Sequence, residues 1–263
     1  MIFVKYRKVM KMKTLFYIND DRYVAGTTLK DETLPEQNNM ALHVCENPND
    51  ILLNRKKLAQ SLNTEIENFV CANQTHSANF YKVTSADKGR GATSLDDAIP
   101  NTDALYTFEK GIVLASFTAD CVPIIFTNDV LGVVGVIHSG WQGTVKEITL
   151  KLFTHLVEKE VCTPEHFRIY IGPAISQDKF EVDSDVYEKF KQLGYADDFI
   201  YYKEATNKYH IDNKLTVKRQ CELVGIPSEN IIVDETCTFI SEVGFSYRED
   251  RGAGRHLSFM MKK

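Results

Sequence analysis

Two histidines and one cysteine are the residues of this sequence best suited to metal chemistry. His76 lies in GlnThrHisSer, Cys121 ends ThrAlaAspCys, and His138 begins HisSerGlyTrpGlnGly. Two imidazoles and a thiolate are ligands that zinc favours, and three protein ligands leave a fourth position free in catalytic zinc sites. The same residues also fit a buried cysteine and two hydrogen-bonded histidines, and their wide spacing matches no compact zinc signature. Spacing alone therefore leaves both interpretations open.

The cysteine and the second histidine lie at the ends of predicted buried strands. Residues 112–117, 123–127 and 132–138 are short, apolar and rich in β-branched side chains, which is typical of strands covered on both faces. A helix should follow over residues 144–160, because apolar side chains recur there with helical spacing. These side chains are Val145, Ile148, Leu152 and Leu156.

The other predicted elements indicate a mixed α+β fold in a single domain. They are helices over 50–62, 184–193 and 213–224, a strand over 167–172, a surface loop over 85–102 and a mainly extended segment over 231–259. Gly194 and Gly225 are the predicted C-terminal stops of the last two helices. Strands and helices follow no strict βαβ order, and no repeat or linker divides the chain, so a single α+β domain is predicted.

The composition argues against several classes of function. The chain has 263 residues, of which 43% are hydrophobic and 25% charged, as in an ordinary folded protein. A net charge of −5 does not suit a nucleic-acid partner, because phosphate binding needs a basic surface. No apolar run approaches the ~20 residues that span a bilayer, and the start of the chain lacks the apolar stretch of a signal peptide.

We therefore expect a cytoplasmic protein with reduced thiols and no membrane partner. Its six cysteines are scattered without a CxxC pair, which does not resemble a disulfide framework. Basic residues cluster near the start of the chain, and we interpret them as a solvated terminus. They are Lys5, Arg7, Lys8, Lys11 and Lys13. The sequence leaves open whether the chain forms a homo-oligomer.

The motifs around the cysteine and the second histidine resemble a known family. ThrAlaAspCysValProIleIle (118–125) and GlyValIleHisSerGlyTrpGlnGlyThr (135–144) together resemble the YfiH-like family, long labelled laccase-domain or multicopper polyphenol oxidase proteins. The resemblance covers about residues 24–262. Further matching segments are AsnMetAlaLeuHisVal (39–44), AsnArg (54–55), GlnThrHisSer (74–77), ThrAspAlaLeuTyrThr (102–107), PheGluVal (180–182), HisIleAsp (210–212) and PheSerTyrArg (245–248).

The resemblance implies a fold, a metal site and a reaction. The implied fold is a mixed β-sandwich surrounded by helices, with residues 24–263 as a single catalytic domain and residues 1–23 as an N-terminal extension and first strand region. The implied metal ligands are His76, Cys121 and His138, with zinc as the metal and copper as an alternative occupant, since copper binds such sites tightly. Family members phosphorolyse adenosine, inosine and methylthioadenosine to a free base and a pentose 1-phosphate, and they deaminate adenosine. Purine nucleosides and phosphate are therefore the implied partners.

Other side chains are candidates for the chemistry that these reactions need. Deamination needs a carboxylate that moves protons, and Asp120 is the candidate because it adjoins the cysteine. Phosphorolysis needs cationic groups, and a guanidinium matches phosphate bidentately. The candidates are Arg55, Arg248 and Arg255. Trp141 is a candidate to stack on a purine, and Gly140 begins a turn whose backbone N–H groups suit an anion. Each of these residues also has an ordinary structural explanation in packing, turns or surface ion pairs.

Three other functions stay open. In a metal-free thiol hydrolase or deamidase, Cys121 would be the nucleophile and one of the two histidines its base. A copper polyphenol oxidase of the laccase type would need more histidine ligands than the seven histidines of this chain provide. A non-catalytic binding protein would keep the fold without turnover.

Two departures from the family pattern bear on activity. Gln142 stands where the family usually has an arginine after the tryptophan. AlaGlyThrThr (25–28) stands where the family usually has an Arg-Gly-Gly-Val-Ser run. If either missing arginine binds phosphate or orients a loop, we expect weaker activity or an altered preference.

Overall fold

The computed structural model describes residues 12–263. The strands are β1 (Thr14–Asn19), β2 (Tyr23–Thr28), β3 (Phe69–Cys71), β4 (Phe80–Lys82), β5 (Ala104–Thr107), β6 (Val113–Thr118), β7 (Val122–Asn128), β8 (Val134–Ser139), β9 (Phe167–Ile171), β10 (Glu181–Val182), β11 (Ile200–Lys203), β12 (Lys208–Ile211), β13 (Ile231–Val233) and β14 (His256–Lys262). The α-helices are α1 (Pro48–Ser61), α2 (Trp141–Val145), α3 (Ile148–Glu158), α4 (Ser184–Lys191) and α5 (Asn213–Leu223). Of the basic residues near the start, Lys5, Arg7, Lys8 and Lys11 lie outside the described part.

The strands form two large sheets and one small sheet. A five-stranded sheet has the order β1-β2-β14-β6-β3, and a six-stranded sheet has the order β13-β9-β7-β8-β5-β4. Both contain parallel and antiparallel pairs. The small sheet, β10-β12-β11, is antiparallel. Because β1 pairs with β2, the described end of the predicted N-terminal segment belongs to the first large sheet.

Apolar side chains fill both faces of the two large sheets. On β6, Leu114 contributes to the apolar cluster between the sheets, whereas Val113 and Ala115 belong to the cluster under α1. On β7, Ile125 contributes to the cluster between the sheets, whereas Phe126 belongs to the cluster under α3 and α5. This double coverage explains why the sequence shows continuous apolar runs instead of strict alternation. The predicted α+β sandwich surrounded by helices is confirmed.

The predicted helix over residues 144–160 is interrupted. Chain direction changes at Glu147, whose φ of 61° is left-handed, and α2 and α3 lie on either side of it. The Tyr195 hydroxyl donates a hydrogen bond to the Glu147 carboxylate over 3.0 Å. The helical spacing of apolar residues was therefore correct for α3, but no glycine or proline marked the break.

The prediction of a mainly extended segment over 231–259 was wrong. Only β13 and the first residues of β14 are strands there, and residues 234–255 form turns without regular strands. By contrast, Gly194 and Gly225 follow α4 and α5 with φ values of 74° and 93°, as expected for glycines that end helices. Among residues 12–263, no helix has the length and apolar character needed to cross a membrane.

Candidate metal centre and its two cavities

Two loops and the end of one strand carry the predicted metal ligands at one end of the six-stranded sheet. His76 lies between β3 and β4, and Cys121 lies in the tight turn where the chain passes from β6 in one sheet to β7 in the other. His138 is near the end of β8, where it pairs with Pro123 of β7. Because β7 and β8 are antiparallel, the beginning of one strand and the end of the other meet at the same edge.

The three side chains form a compact donor set. One ligand atom from each residue lies within 4.8 Å of the others, and Cys121 Sγ is 3.7 Å from His76 Nε2. Two ligands of a tetrahedral zinc ion, one nitrogen and one sulfur, lie about 3.6 Å apart when ordinary bond lengths are assumed. The residues therefore fit a zinc ion. In the described part of the chain this is the single group of its kind.

Gly140 permits the close approach of two of these side chains. A Cβ atom at this position would lie 2.5 Å from His76 Cδ2 and 2.8 Å from Cys121 Sγ. The sequence made Gly140 a candidate for anion binding at a helix N-terminus, but α2 has only five residues. Its contacts indicate a steric role beside the metal ligands.

The Asp103 carboxylate connects both histidines. Oδ1 accepts hydrogen bonds from His138 Nδ1 over 2.8 Å and from the backbone N–H of His76 over 3.1 Å. Oδ2 accepts from the backbone N–H groups of Thr75 and Ser77 and from the Ser77 hydroxyl. The His138 ring then carries its proton on Nδ1, so Nε2 is available for a metal. This link was not predicted, although Asp103 lies in the motif at 102–107.

The charges of these groups favour a thiolate. Burial opposes ionisation of Cys121, but the charge and hydrogen bonds of His138 and then His76 lower the pKa of its thiol to about 6. Burial likewise opposes a charge on His138, but Cys121 and Asp103 raise the pKa of its imidazole to about 9. Burial also opposes ionisation of Asp103, but hydrogen bonds from His138 and Ser77 lower its pKa to about 2.

Asp120 has a different set of partners. Its carboxylate accepts hydrogen bonds from the Thr238 hydroxyl over 2.7 Å, the Ser246 hydroxyl over 3.0 Å and the backbone N–H of Arg248 over 2.7 Å. Its φ of 76° turns the chain toward Cys121. The carboxylate therefore attaches the irregular segment 234–255 to the turn that carries the cysteine.

A cavity of about 520 Å³ on one side of the ligands is basic. Arg55 lines it although the residue is only 1% exposed. Its Nε and Nη1 atoms donate to the carbonyls of Met40, Gly91 and Ala92 over 2.7–2.8 Å. Among residues 12–263, no carboxylate pairs with this guanidinium and its Nη2 atom makes no hydrogen bond.

Two further basic groups line the same cavity. Arg255 is half-buried and lies over the Tyr247 ring, 5.7 Å from its centroid. Although His43 is partly exposed, desolvation of its imidazole by the surrounding residues, followed by the positive charges of Arg255 and Arg55, lowers its pKa to about 4. His43 was not singled out from the sequence, although it lies in the matching segment at 39–44. The basic cavity thus combines two guanidinium groups with a neutral imidazole.

A second cavity of about 490 Å³ on the other side is acidic and aromatic. It shares His76, Ala119, Cys121, Trp141 and Tyr247 with the basic cavity. Its remaining walls include the carboxylates of Glu181, Asp183 and Asp185 and the apolar side chains of Ile175, Phe180, Val182 and Val186.

Arg248 and Trp141 both lie beside this acidic cavity. Arg248 Nη1 donates to the carbonyls of Lys179 and Glu181 over 3.2 and 3.1 Å. The Trp141 ring lies at the wall between the cavities, with Lys189 Nζ 5.1 Å from its centroid. The structure thus places Arg55 and Arg255 on the basic side and Arg248 on the acidic side.

The fold and this donor set define a class of sandwich proteins with a candidate His-Cys-His metal centre. Residues 28–263 match the family model described as multi-copper polyphenol oxidoreductase laccase. Purine nucleoside phosphorylase YlmD of Geobacillus stearothermophilus is 36% identical over 228 residues, which cover 86% of this chain and 83% of that protein. Adenosine deaminase RL5, from an unknown prokaryotic organism, is 32% identical over 211 residues, which cover 79% of each chain.

A solved structure shows the same fold. The crystal structure of hypothetical protein YfiH from Bacillus licheniformis superposes with a TM-score of 0.88 and 32% identity, and the match covers 94% of this chain and 99% of that chain. This chain belongs to the multi-copper polyphenol oxidoreductase laccase family, which confirms the resemblance inferred from its motifs.

Proposed function

We propose that this chain is a zinc-dependent purine nucleoside phosphorylase that also deaminates adenosine. The observation that carries the proposal is the position of the donor set between a basic cavity and an acidic, aromatic cavity. Phosphorolysis needs such a pair of compartments, because an anion and a nucleoside must meet at one reactive centre. The names of the related phosphorylase and deaminase support this choice of reaction.

His76, Cys121 and His138 would hold the zinc ion. When bound, zinc supplies Lewis acidity, which can polarise a substrate oxygen or lower the pKa of water. Asp103 orients His138 and the backbone of His76, so the protein fixes two ligands through one buried carboxylate. Such supporting hydrogen bonds normally tune metal affinity and orientation.

Arg55 and Arg255 would bind phosphate in the basic cavity. Arg55 is held rigidly by three carbonyl groups, so little side-chain entropy is lost when its free Nη2 donates to an anion. His43 stays neutral at pH 7, so its imidazole can offer both a hydrogen-bond donor and an acceptor there. Gln142 lines the same cavity, where the family's usual arginine would add a further cation.

Asp120 would position the irregular segment 234–255 beside the two cavities. Three hydrogen bonds occupy its carboxylate, and they attach the segment that carries Tyr247, Arg248 and Arg255. We therefore replace the predicted proton-moving role of Asp120 with a positioning role. Trp141, at the wall shared by the cavities, remains our candidate to contact the purine ring.

The first test compares the wild type with Cys121→Ala. We expect about one zinc per wild-type chain, release of adenine from adenosine with phosphate, and formation of inosine from adenosine without phosphate. Elemental analysis and chromatography of the products measure the three quantities. We expect Cys121→Ala to lose both zinc and turnover, because two imidazoles alone hold zinc weakly. Cys162→Ala, in the core under α3, is the matched control and should keep both.

Two results would count against the proposal. Zinc binding without turnover of any purine nucleoside would remove the substrate assignment and leave the metal site. Full turnover in zinc-free protein would remove the metal from the proposal and leave the substrate assignment.

Replacing Arg255 by methionine should weaken phosphate binding selectively. The substitution keeps a long side chain but removes the charge, so we expect the KM for phosphate to rise about tenfold or more. The KM for adenosine in the deaminase assay, which needs no phosphate, should change little. Arg219→Met, on the exposed face of α5, is the matched control. Equal increases in both KM values would contradict a phosphate role for Arg255.

The thiol hydrolase is the second candidate function. The short separation of Cys121 Sγ and His76 Nε2 and the lowered pKa of the thiol also suit a nucleophile. Iodoacetamide separates the two functions. A zinc-bound thiolate should react slowly until a chelator removes the metal, whereas a free catalytic thiolate should react rapidly from the start.

A further inference from the structure

Two matching segments of the sequence have no role in the chemistry described so far. PheGluVal (180–182) and HisIleAsp (210–212) are far apart in the chain, but the small sheet brings them together. Glu181 of β10 is the direct cross-strand partner of His210 of β12. Cross-strand partners in an antiparallel pair project to the same face of the sheet.

The Glu181 carboxylate lies beside the candidate metal centre. It lines the acidic cavity together with Cys121 and His76, and its side chain is 35% exposed. Unlike the Asp120 carboxylate, which binds three protein donors, the Glu181 carboxylate accepts no hydrogen bond from the described residues. Asp183 and Asp185 are fully at the surface, and Asp183 pairs with Lys208. Glu181 is therefore the half-buried carboxylate of this cavity that is free to accept hydrogen bonds.

The His210 side chain lies next to the Glu181 carboxylate on the small sheet. The imidazole is 1% exposed and stacks on Tyr201, with ring centroids 4.8 Å apart and planes within 2°. Its Nδ1 donates to the carbonyl of Gln177 over 3.2 Å. Its Nε2 lies 3.4 Å from Glu181 Oε2 and has no hydrogen-bond partner among residues 12–263. Because Nδ1 already donates to a carbonyl, Nε2 can hold the Glu181 carboxylate only as the second N–H donor of a protonated imidazole, and the two side chains then form an ion pair.

A second buried acceptor lies in the same wall. Asn213, at the start of α5, lines the acidic cavity and is 4% exposed. Its Nδ2 donates to the carbonyl of Ser139 over 3.2 Å, whereas its Oδ1 has no partner in the described part of the chain. The polar side of this cavity therefore offers acceptors, which suit a ligand that carries hydrogen-bond donors.

We propose that Glu181 binds the ribose hydroxyls of the nucleoside and that His210 positions its carboxylate. This inference rests on the proposed function. Phosphorolysis breaks a bond at C1′ of the ribose, so the sugar must lie next to the wall that the two cavities share. The apolar and aromatic side chains of Phe180, Ile175 and Trp141 suit the purine. The carboxylate then faces the sugar, whose neighbouring hydroxyls are two donors that an acceptor-only group can bind together.

The test is the preference for ribose over deoxyribose. Phosphorolysis of adenosine, 2′-deoxyadenosine and 3′-deoxyadenosine is measured at saturating phosphate for the wild type and Glu181→Gln. We expect Glu181→Gln to lower kcat/KM for adenosine by about tenfold or more, since it loses charge-assisted hydrogen bonds. The value for the deoxynucleoside that lacks the contacted hydroxyl should change much less. The KM for phosphate should stay the same.

The matched control is Glu188→Gln, an exposed glutamate of α4 outside both cavities. It should leave every value unchanged. Equal losses of kcat/KM for all three nucleosides in Glu181→Gln would overturn the role in ribose binding while leaving the phosphorylase assignment intact. Failure of the wild type to phosphorolyse any nucleoside would instead overturn the proposed function, and this inference with it.

His210 is tested through the same preference. We expect His210→Gln to reduce the discrimination between adenosine and deoxyadenosine in the wild-type background. In the Glu181→Gln background it should reduce the discrimination no further, because the carboxylate that it positions is already absent. A purely structural role would lower activity equally toward all three nucleosides in both backgrounds, and that result would overturn the positioning role.

Discussion

Replacement of Gly140 by alanine should strongly weaken metal binding without disturbing the backbone. Gly140 has φ −65° and ψ 164°, which alanine adopts readily. The added methyl group, however, would lie 2.5 Å from His76 Cδ2 and 2.8 Å from Cys121 Sγ. To relieve these contacts, His76 or Cys121 must shift from its position in the donor set. We expect zinc affinity to fall at least about 100-fold, because changes that only touch a ligand's support already cost 10–100-fold.

The control for this substitution lies in α2, the short helix that follows Gly140. A Cβ atom at Gly143 would be 3.5 Å from its nearest neighbours, Ile148 Cγ2 and the carbonyl of Ser77, which is ordinary contact. Gly143→Ala should keep zinc and turnover, and it should raise stability by up to about 1 kcal/mol through helix propensity. Titration with a competing chelator and thermal unfolding measure both variants. Wild-type zinc affinity in Gly140→Ala would show that Gly140 does not shape the metal site.

The sequence predicted the sheets well because their strands are covered on both sides. The runs at 112–117, 123–127 and 132–138 are apolar throughout, since one face of each strand packs between the sheets and the other packs under helices. That signal is local and needs no knowledge of the partner strand. It also placed both ligands next to strand ends: the structure has His138 near the end of β8 and Cys121 in the turn just before β7.

The features that the sequence did not predict depend on contacts between distant residues. The left-handed conformation of Glu147 interrupts a helix without any glycine or proline, and its side chain meets Tyr195 far along the chain. The segment 234–255 was predicted as mainly extended, but it forms turns beside the site. Asp120 attaches it through hydroxyl and backbone donors, and such pairings leave no periodic trace in a sequence.

The arginines illustrate the same limit. Their type predicts anion binding, but the sequence alone does not separate Arg55 and Arg255 from Arg248. The structure binds Arg55 to three carbonyl groups and leaves its Nη2 atom without a hydrogen bond to the described residues, whereas Arg248 donates to the carbonyl of Glu181 on β10. The two guanidinium groups differ in the carbonyl groups to which they donate. Those carbonyl groups belong to residues far away in the chain, so the sequence alone does not predict the contacts.

Asp103→Asn should have the second largest effect, because one carboxylate holds both histidines. Oδ1 accepts from the His138 ring and the His76 backbone, and Oδ2 accepts from Thr75 and Ser77. An asparagine must direct its NH₂ group at donors on one side or the other. We expect zinc affinity to fall about 10–100-fold and the free energy of unfolding to fall by about 1–3 kcal/mol.

Asp87→Asn is the control for this substitution, because it removes a hydrogen-bonded carboxylate that does not contact the metal ligands. The Asp87 carboxylate also accepts several hydrogen bonds, from Thr84, Tyr81 and Arg90, but it lies away from the metal ligands. Asp87→Asn should therefore lower stability and leave zinc affinity unchanged. If Asp103→Asn lowers stability alone, as this control does, the carboxylate does not orient the ligands.

The acid stability of the metal-free protein gives an independent measure of Asp103. Its pKa is lowered to about 2 in the folded protein, below the value of about 3.9 for an unfolded chain. A depressed carboxyl pKa contributes stability above the unfolded value, and that contribution is lost as the pH falls through the folded value. Between about pH 4 and pH 2 the wild type should therefore lose more stability than Asp103→Asn, which has no proton to bind there. Parallel acid unfolding curves for the two proteins would mean that the hydrogen bonds to Asp103 do not favour its charged form, and the orientation of both histidines would then need another cause.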